Sequence, residues 1–406
     1  MRKTALICVL ASALLTTFVG WTSGVATAAT DSKAPIIVGG QGDLGLSAGI
    51  SQGFQARIDA FNKQGGLDGR KIKFLGMLDD GFSPTTNLAN AQKLVEDDHV
   101  FADVPFNSQE CTGSTGTFLQ EHQTPYIGYA VCGSFGPTYK WGFGFEGNNT
   151  VPTVAADEDF VGIAKILHKK PAQVKLALSG LSVASVDVTN LTGAAKKYGE
   201  DVVSSEADIP LNATNYAPYV QQIISSGANA AFLLTSEAAS VAFTQALKEA
   251  GFKGLILNPA AYDPDALKTL PSTRAALNGT YVGVPFVVTA DNTPATRQAG
   301  NDLTAIGQPP VLTNGVAIGY WSGEFFVQAL KAAAAKLGAT NVTSASFQKF
   351  VANGYTFHSS QPGGMAPETF PLAFTDPSPC VTILESKGKS YSVALPYSCG
   401  KVFNFG

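Results

Sequence analysis

The chain alternates between short apolar runs, which are typical of buried strands, and longer segments whose apolar residues recur every three or four positions. The helical pattern is clearest over residues 47–64, where apolar side chains fall at Ile50, Phe54, Ile58 and Phe61 and predict one buried helix face. A Gly-Gly pair then ends this helix. Regular alternation of strands and helices predicts parallel sheets covered by helices, so we expect an α/β protein.

The alternation falls into two successive blocks. In the first block strands are predicted at residues 36–38, 71–78, 101–105 and 125–131, and in the second at 174–178, 202–207, 230–235, 255–257 and 281–284. A long helix over 316–337 and a hairpin with strands at 381–385 and 391–395 follow. About 375 residues remain once the N-terminal export signal, described next, is removed. Because this length exceeds what a single hydrophobic core usually supports, we expect two lobes.

The first 28 residues have the pattern of an export signal. Arg2-Lys3 is followed by an apolar run over 5–19 and by Ala26-Thr27-Ala28, the small residues that a signal peptidase recognises. The run is shorter than the ~20 residues that span a bilayer. We predict that residues 1–28 are a signal peptide and that the mature protein is exported to the periplasm, the cell envelope or the extracellular space.

Composition excludes several classes of partner. A net charge of −4, with no basic run, gives no electrostatic footprint for nucleic acid. The four histidines are scattered and no Cys-x-x-Cys spacing occurs, which argues against a metal site. We expect neither a metal nor another cofactor.

Four cysteines remain once the signal segment is removed, an even number that favours disulfides in an exported chain. Nearness in sequence favours Cys111 with Cys132 and Cys380 with Cys399 over the two other pairings. The second pair also sits at the two ends of the predicted hairpin, which it would close.

Two short motifs could carry catalysis or bind a nucleotide, and both have simpler interpretations. Residues 40–45 match the dinucleotide fingerprint, but the acids at the end of the second strand, Asp79 and Asp80, lie well beyond the expected spacing of about 20 residues. Residues 45–49 match a nucleophile elbow around Ser47, but a polar loop separates it from its strand. We predict that Ser47 caps a helix and that the protein is not an enzyme.

The loops that follow the predicted strands are short, polar and often contain glycine. In open parallel sheets ligands bind beyond the carboxyl ends of the strands, near helix N-termini. Two lobes that each provide such loops would enclose a small molecule by hinge closure. The loops are residues 40–47, 107–109, 129–133, 179–185, 236–237 and 258–263.

Residues 34–137 resemble the branched-chain amino acid type of periplasmic solute-binding protein, the type I two-lobe fold of ABC importers. The resemblance rests on the segment 62–70 (Asn-Lys-Gln-Gly-Gly-Leu-Asp-Gly-Arg), on Asp79-Asp80 with Pro84, and on the helix over 89–95. It implies a first lobe of residues 34–150 with 285–369 and a second lobe of 151–284 with 370–406. Three crossings would join the lobes.

The same resemblance implies the ligand contacts. Family members hold the amino acid carboxylate on the loops after the third and fourth strands, which here carry Asn107, Ser108 and Gln109, then Ala130, Val131 and Cys132. The tyrosine and the carboxylate that other members use in the second lobe are missing from the matching positions. The remaining candidates for ligand contact are Ser47, Ser182, Ser236, Glu237, Tyr262 and Asp263.

The function implied is that of an exported, monomeric solute-binding protein. It would capture a small polar or amino-acid-like ligand by hinge closure and deliver it to the permease of an ABC importer. Two alternatives stay open at this point. One is a sensor of the same fold, in which closure signals instead of delivering the ligand, and the other is an exported enzyme with Ser47 as nucleophile.

Overall fold

Strands and helices alternate throughout the part of the chain that the structure describes. This computed structural model describes residues 34–45, 48–107, 112–129, 134–145 and 151–406, apart from the side chain of Glu237. The strands are β1 (Ile36–Gly42), β2 (Ile72–Asp79), β3 (Ala102–Asn107), β4 (Tyr126–Tyr129), β5 (Gly142–Phe145), β6 (Val154–Ala156), β7 (Lys175–Leu181), β8 (Asp201–Ile209), β9 (Ala230–Leu234), β10 (Leu255–Leu257), β11 (Tyr281–Val284), β12 (Thr356–Phe357), β13 (Glu368–Thr369), β14 (Cys380–Lys387), β15 (Ser390–Cys399) and β16 (Val402–Asn404). The helices are α1 (Ile50–Lys63), α2 (Pro84–Gln92), α3 (Ser114–Glu121), α4 (Glu158–Ile166), α5 (Ser185–Tyr198), α6 (Ala217–Ser225), α7 (Glu237–Glu249), α8 (Pro264–Thr269), α9 (Pro271–Leu277), α10 (Pro294–Ala305), α11 (Asn314–Leu337) and α12 (Ser344–Ala352). The predicted α/β class is confirmed.

The first sheet has the strand order β2-β1-β3-β4-β5, and its neighbouring strands run parallel. Helices α1 and α11 cover one face, where Phe54 and Phe325 join Val38 and Val104 in a buried core. Helices α2 and α3 cover the other face, and Leu119 of α3 is fully buried there. Because both faces are covered, the strands are apolar on both sides, as parallel sheets require.

Helices α1 and α11 approach each other closely at two glycines. A Cβ atom on Gly53 would clash with the carbonyl oxygen of Val316, and one on Gly319 would clash with the carbonyl oxygen of Ile50. The close contact therefore depends on the absence of a side chain at both positions.

A buried ion pair lies in the same helix contact. Arg57 Nε donates to Glu324 Oε2 over 2.5 Å, and the two side chains are 7% and 2% exposed. The other carboxylate oxygen, Oε1, accepts from the backbone N–H of Ser360 at 2.6 Å. The pair joins the first helix to the long helix α11, far along the chain.

The second sheet has the order β15-β14-β11-β10-β9-β7-β8. Strands β7 to β11 run parallel, whereas β14 pairs antiparallel with β11 and β15 pairs antiparallel with β14. Leu176 and Leu178 face a core with Phe160 of α4, while Ala177 between them faces a separate core with Phe243 of α7. This alternation along β7 places helices on both faces of the sheet.

The chain passes from the first sheet to the second after β5 and returns after β11 to helix α11, which packs on the first sheet. After the small separate sheet of β12 and β13 it enters the second sheet again at β14, which makes three crossings. Its last strand, β16, then pairs antiparallel with β6. The lobe boundaries themselves, residues 34–150 with 285–369 and residues 151–284 with 370–406, stay a prediction. In the described ranges no helix is both long and apolar enough to cross a membrane.

One local prediction is wrong. Helix α1 begins at Ile50, and Gly49 with a φ of 89° is its N-cap, so neither the helix start nor the N-cap lies at Ser47. Ser47 itself lies outside the described residues. The sequence favoured serine because serine is a common capping residue, whereas the left-handed backbone at this turn requires glycine.

Candidate functional site

The strands of the first sheet end together at one edge. Gly42 pairs with both Asp79 and Asn107 across the ladder, and β4 ends one strand further along at Tyr129. Asn107 is buried at 2% exposure. The predicted contacts that continue from this edge lie outside the described residues: Ser108, Gln109, Cys111, Ala130, Val131 and Cys132.

Two helices begin at this edge without a capping side chain. Gly49 precedes α1, Gly113 with a φ of 76° precedes α3, and neither helix has an acidic residue in its first turn. The first backbone N–H groups of a helix lack helical partners and carry a partial positive charge. The edge can therefore receive a carboxylate or another polar acceptor group of a ligand.

The glycines of the match to the dinucleotide fingerprint, residues 40–45, have a structural role. A Cβ on Gly40 would clash with the backbone of Pro105, and one on Gly42 would clash with the carbonyl of Asn107. Asp79 Oδ1 accepts from the backbone N–H of Leu44 at 3.1 Å and so orders the following loop. These contacts favour close strand packing over a phosphate-binding role.

The second sheet presents an equivalent edge. Ser182 is exposed in a 3-10 turn that follows β7, and Ser236 follows β9, the strand next to β7. The Ser236 Oγ accepts from the backbone N–H of Ala239 at 3.4 Å and caps α7. Glu237 is the first residue of α7. Neighbouring parallel strands thus bring these three predicted residues to one edge.

Tyr262 and Asp263 have polar groups that are already bonded within the protein. The Tyr262 hydroxyl donates to the carbonyl of Leu312 over 3.1 Å, and burial raises the pKa of that hydroxyl. Asp263 Oδ1 accepts from the backbone N–H groups of Asp265 at 2.8 Å and Ala266 at 2.9 Å, which makes it the N-cap of α8. Both side chains therefore serve the fold at this point.

The crossing after β11 is held on both sides. Asp291 Oδ2 accepts from the backbone N–H of Val288 at 2.9 Å and from Thr382 Oγ1 of β14 at 3.0 Å. Trp321 Nε1 of α11 donates to the carbonyl of Val287 at 3.0 Å, and the ring of Phe286 lies 6.2 Å from that of Tyr129. This crossing connects the edge of the first sheet with the hairpin of the second.

A disulfide joins Cys380 and Cys399, which face each other at the open end of the β14–β15 hairpin. This bridge is the one that the hairpin pattern predicts. The other predicted bridge, between Cys111 and Cys132, lies outside the described residues.

Several buried carboxyl groups were not singled out by the sequence. Asp103 is fully buried in β3, where Gln41 Nε2 donates to its Oδ2 at 2.6 Å, and burial raises its pKa well above the usual range. Burial also raises the pKa of Asp159 and Asp187 to about 7 and that of Glu200 to about 8. The described residues include no group of three or more His, Cys, Asp or Glu side chains suited to a metal ion. Nothing in the sequence pattern distinguishes these acids from exposed ones.

Two α/β sheets, joined by three crossings and carrying polar loops at their carboxyl edges, define a two-lobe α/β protein of the ligand-binding type. A family model described as periplasmic binding protein matches residues 33–388, and the chain belongs to this family. The predicted resemblance and the predicted type I fold are thereby confirmed. The family consists of solute-binding proteins. No curated protein matches the chain.

Solved structures of solute-binding proteins share this fold at low sequence identity. An ABC transporter solute-binding protein from R. palustris, in complex with 4-hydroxybenzoate, is 18% identical with a TM-score of 0.69, over 90% of this chain and 98% of that chain. LivJ from Streptococcus pneumoniae, in complex with isoleucine, is 14% identical with a TM-score of 0.69, over 89% and 99%. A fatty acid ABC transporter substrate-binding protein from Thermomonospora curvata is 18% identical with a TM-score of 0.70, over 90% and 93%. These similarities establish the fold alone.

Proposed function

We propose that this protein is an exported receptor that captures a small molecule between two lobes and delivers it to the permease of an ABC importer. The observation that carries the proposal is membership in the periplasmic binding protein family over residues 33–388. The polar loops and uncapped helix N-termini at the carboxyl edge of the first sheet support it. The similar R. palustris and T. curvata proteins are binding proteins of ABC transporters, which adds the expectation of an importer.

The proposed site lies between the two edges. In the first lobe the loops after β1, β3 and β4 hold the polar group of the ligand through Ser47, Asn107, Ser108, Gln109, Ala130 and Cys132. In the second lobe Ser182, Ser236 and Glu237 close over it. We leave Tyr262 and Asp263 out of this set because their polar groups are bonded within the fold.

Capture proceeds by hinge closure about the three crossings. Crossings of this kind are short segments that absorb the change in backbone angles while each sheet moves as a rigid body. The Asp291 contacts with Val288 and Thr382 are placed to keep the second crossing intact during that motion.

A thermal-shift screen tests ligand capture. The panel contains amino acids, amides, ureas and aromatic acids, and a ligand at 100 times its dissociation constant is expected to add about 2.7 kcal/mol to the free energy of unfolding. Small-angle scattering with the best ligand should then show a smaller radius of gyration. If no compound in the panel raises the melting temperature, the receptor proposal fails.

Two substitutions and one control place the site. Ser108→Ala and Glu237→Ala are expected to abolish the ligand-induced shift, because each removes a polar contact from one side of the cleft. Ser390→Ala, an exposed change at the first residue of β15, should leave the shift unchanged. Unchanged affinity in both site variants would remove those residues from the site. Uptake of the same ligand by cells that lack this protein tests delivery.

A further inference from the structure

A buried hydrogen bond joins the loop after β10 to the segment before α11. The Tyr262 hydroxyl donates to the carbonyl oxygen of Leu312 over 3.1 Å, and the two residues lie 50 positions apart in the chain. Tyr262 is 4% exposed, and Leu312 is fully buried. Because burial raises the pKa of the Tyr262 hydroxyl, this group stays protonated at ordinary pH and remains a donor.

The donor is fixed to the second sheet. Tyr391 of β15 donates to the carbonyl of Ala261 at 2.6 Å and accepts from the backbone N–H of Asp263 at 3.3 Å. The ring of Tyr391 also lies 5.2 Å from the ring of Tyr262. Because the residues on both sides of Tyr262 are bonded to a strand of the second sheet, Tyr262 moves with that sheet.

The acceptor is fixed to the first sheet. Leu312 lies two residues before α11, the long helix that packs on this sheet, and its side chain joins the buried core that contains Phe325 of that helix. The backbone N–H of Leu312 donates to Thr289 Oγ1 at 2.8 Å. A Cβ atom on Gly49, the N-cap of α1, would clash with the side chain of Val316 near the start of α11. The start of α11 therefore lies at the same edge of the sheet as the start of α1.

The hydrogen bond thus connects the two carboxyl edges that form the walls of the proposed cleft. Tyr262 follows the carboxyl end of β10, and Leu312 lies at the edge where α1 and α11 begin. Asp291 and Thr382 also bond to each other across the sheets, but they do so at the crossing after β11 itself. Because Tyr262 and Leu312 belong to different sheets, a hinge rotation that opens the cleft separates them and leaves both groups to water.

Building on the proposed receptor function, we propose that Tyr262 is a positioning residue whose hydrogen bond to Leu312 holds the two lobes in the closed state without contacting the ligand. The bond raises the population of the closed state. The apparent affinity then rises by the same factor for every ligand that the closed cleft holds. Tyr262 therefore acts on the strength of capture and not on the choice of ligand.

Small-angle scattering of the mature protein without ligand tests the closed state directly. Tyr262→Phe removes the hydroxyl and keeps the buried ring, and we expect a larger radius of gyration for this variant than for the unchanged protein. Tyr320→Phe is the matched control, because Tyr320 is 3% exposed and donates to Asp302 Oδ2 at 2.8 Å, a bond from α11 to α10 that stays within one lobe. Equal radii in the three proteins would overturn the inference.

Ligand affinity gives the second test. Titration calorimetry uses L-leucine, acetamide, urea and benzoate, one compound from each class of the thermal-shift panel. For each compound that binds, Tyr262→Phe should weaken binding about fivefold, the effect of one neutral hydrogen bond, whereas Tyr320→Phe should leave the affinity unchanged. Factors that differ between compounds by more than about threefold would show that Tyr262 contacts the ligand, and would overturn the inference.

The two tests separate this inference from the proposed function. If no compound of the whole panel binds and the radius of gyration still rises in Tyr262→Phe, the receptor proposal fails while the contact between the lobes stands. If compounds bind and their affinity is the same in Tyr262→Phe, the receptor function stands and the inference fails. A melting temperature that falls equally in Tyr262→Phe and Tyr320→Phe, with no change in radius or affinity, would show that the bond at Tyr262 serves stability alone.

Discussion

The ion pair between Arg57 and Glu324 gives the sharpest stability prediction. Both side chains are almost fully buried between α1 and α11. Arg57→Met keeps the length and the apolar stem of the side chain but leaves the Glu324 carboxylate buried without its charged partner. Breaking a buried pair in this way costs about 3–5 kcal/mol.

This loss is large enough for ordinary equilibrium unfolding to measure. With a urea dependence of about 2–3 kcal/mol per molar, a loss of about 4 kcal/mol lowers the urea midpoint by between about 1 and 2 M. Arg297→Met is the control, because Arg297 is exposed and donates to the carbonyl of Asn292 at 2.7 Å. Its effect should stay within about 0.5 kcal/mol.

A double variant separates the lost pair from lost packing. Glu324→Gln in the Arg57→Met background removes the unpaired charge while the amide oxygen still accepts from the backbone N–H of Ser360. We expect the double variant to recover about 2 kcal/mol or more of the loss. A double variant as unstable as Arg57→Met, or a single variant that costs under about 1 kcal/mol, would refute the reasoning.

Three further changes test other contacts. Burial raises the pKa of Asp103, so the contribution of this group to stability is complete at acid pH and is lost as the pH rises from about 4 through the folded-state pKa. Asp103→Asn should therefore flatten the dependence of the melting temperature on pH between 4 and 8. An unchanged pH profile would contradict the raised pKa of Asp103. Replacing Cys380 and Cys399 together by serine should lower the free energy of unfolding by about 3 kcal/mol in the chain-entropy model, and this loss should appear as a lower melting temperature in oxidising buffer. If reductant then lowers the melting temperature of the double variant by an equal amount, another disulfide contributes to stability. Gly53→Ala should lower the free energy of unfolding by about 2 kcal/mol, because the new methyl group meets the backbone of Val316 and helices α1 and α11 must separate. An unchanged urea midpoint would show that the two helices separate without a cost in stability.

Much of the fold could be predicted from apolar spacing. The residues Ile50, Phe54, Ile58 and Phe61 are all buried in α1, as their three-to-four spacing predicts. The closing hairpin and its disulfide also follow the sequence, because strand pattern and cysteine spacing agree there. Helix α5 carries the same spacing more weakly, since the small residues Ala194 and Ala195 continue the buried face that Val188 and Leu191 begin.

The site was harder to predict because the sequence gives the residue type on a loop but not the direction of its side chain. Tyr262 and Asp263 follow a strand as binding residues do, yet one bonds to Leu312 and the other caps a helix.

The pairing of β11 with β14 has a consequence for the order of folding. Val284 of β11 pairs with Thr382 of β14, so the strand that covers this side of β11 is synthesised long after β11 itself. Until then β11 is an open strand edge, which is a hazard for aggregation, and its closure is a slow, non-local step. A truncation before Cys380 would remove β14 and β15 and would therefore damage the second sheet, although β7 of that sheet already begins at Lys175.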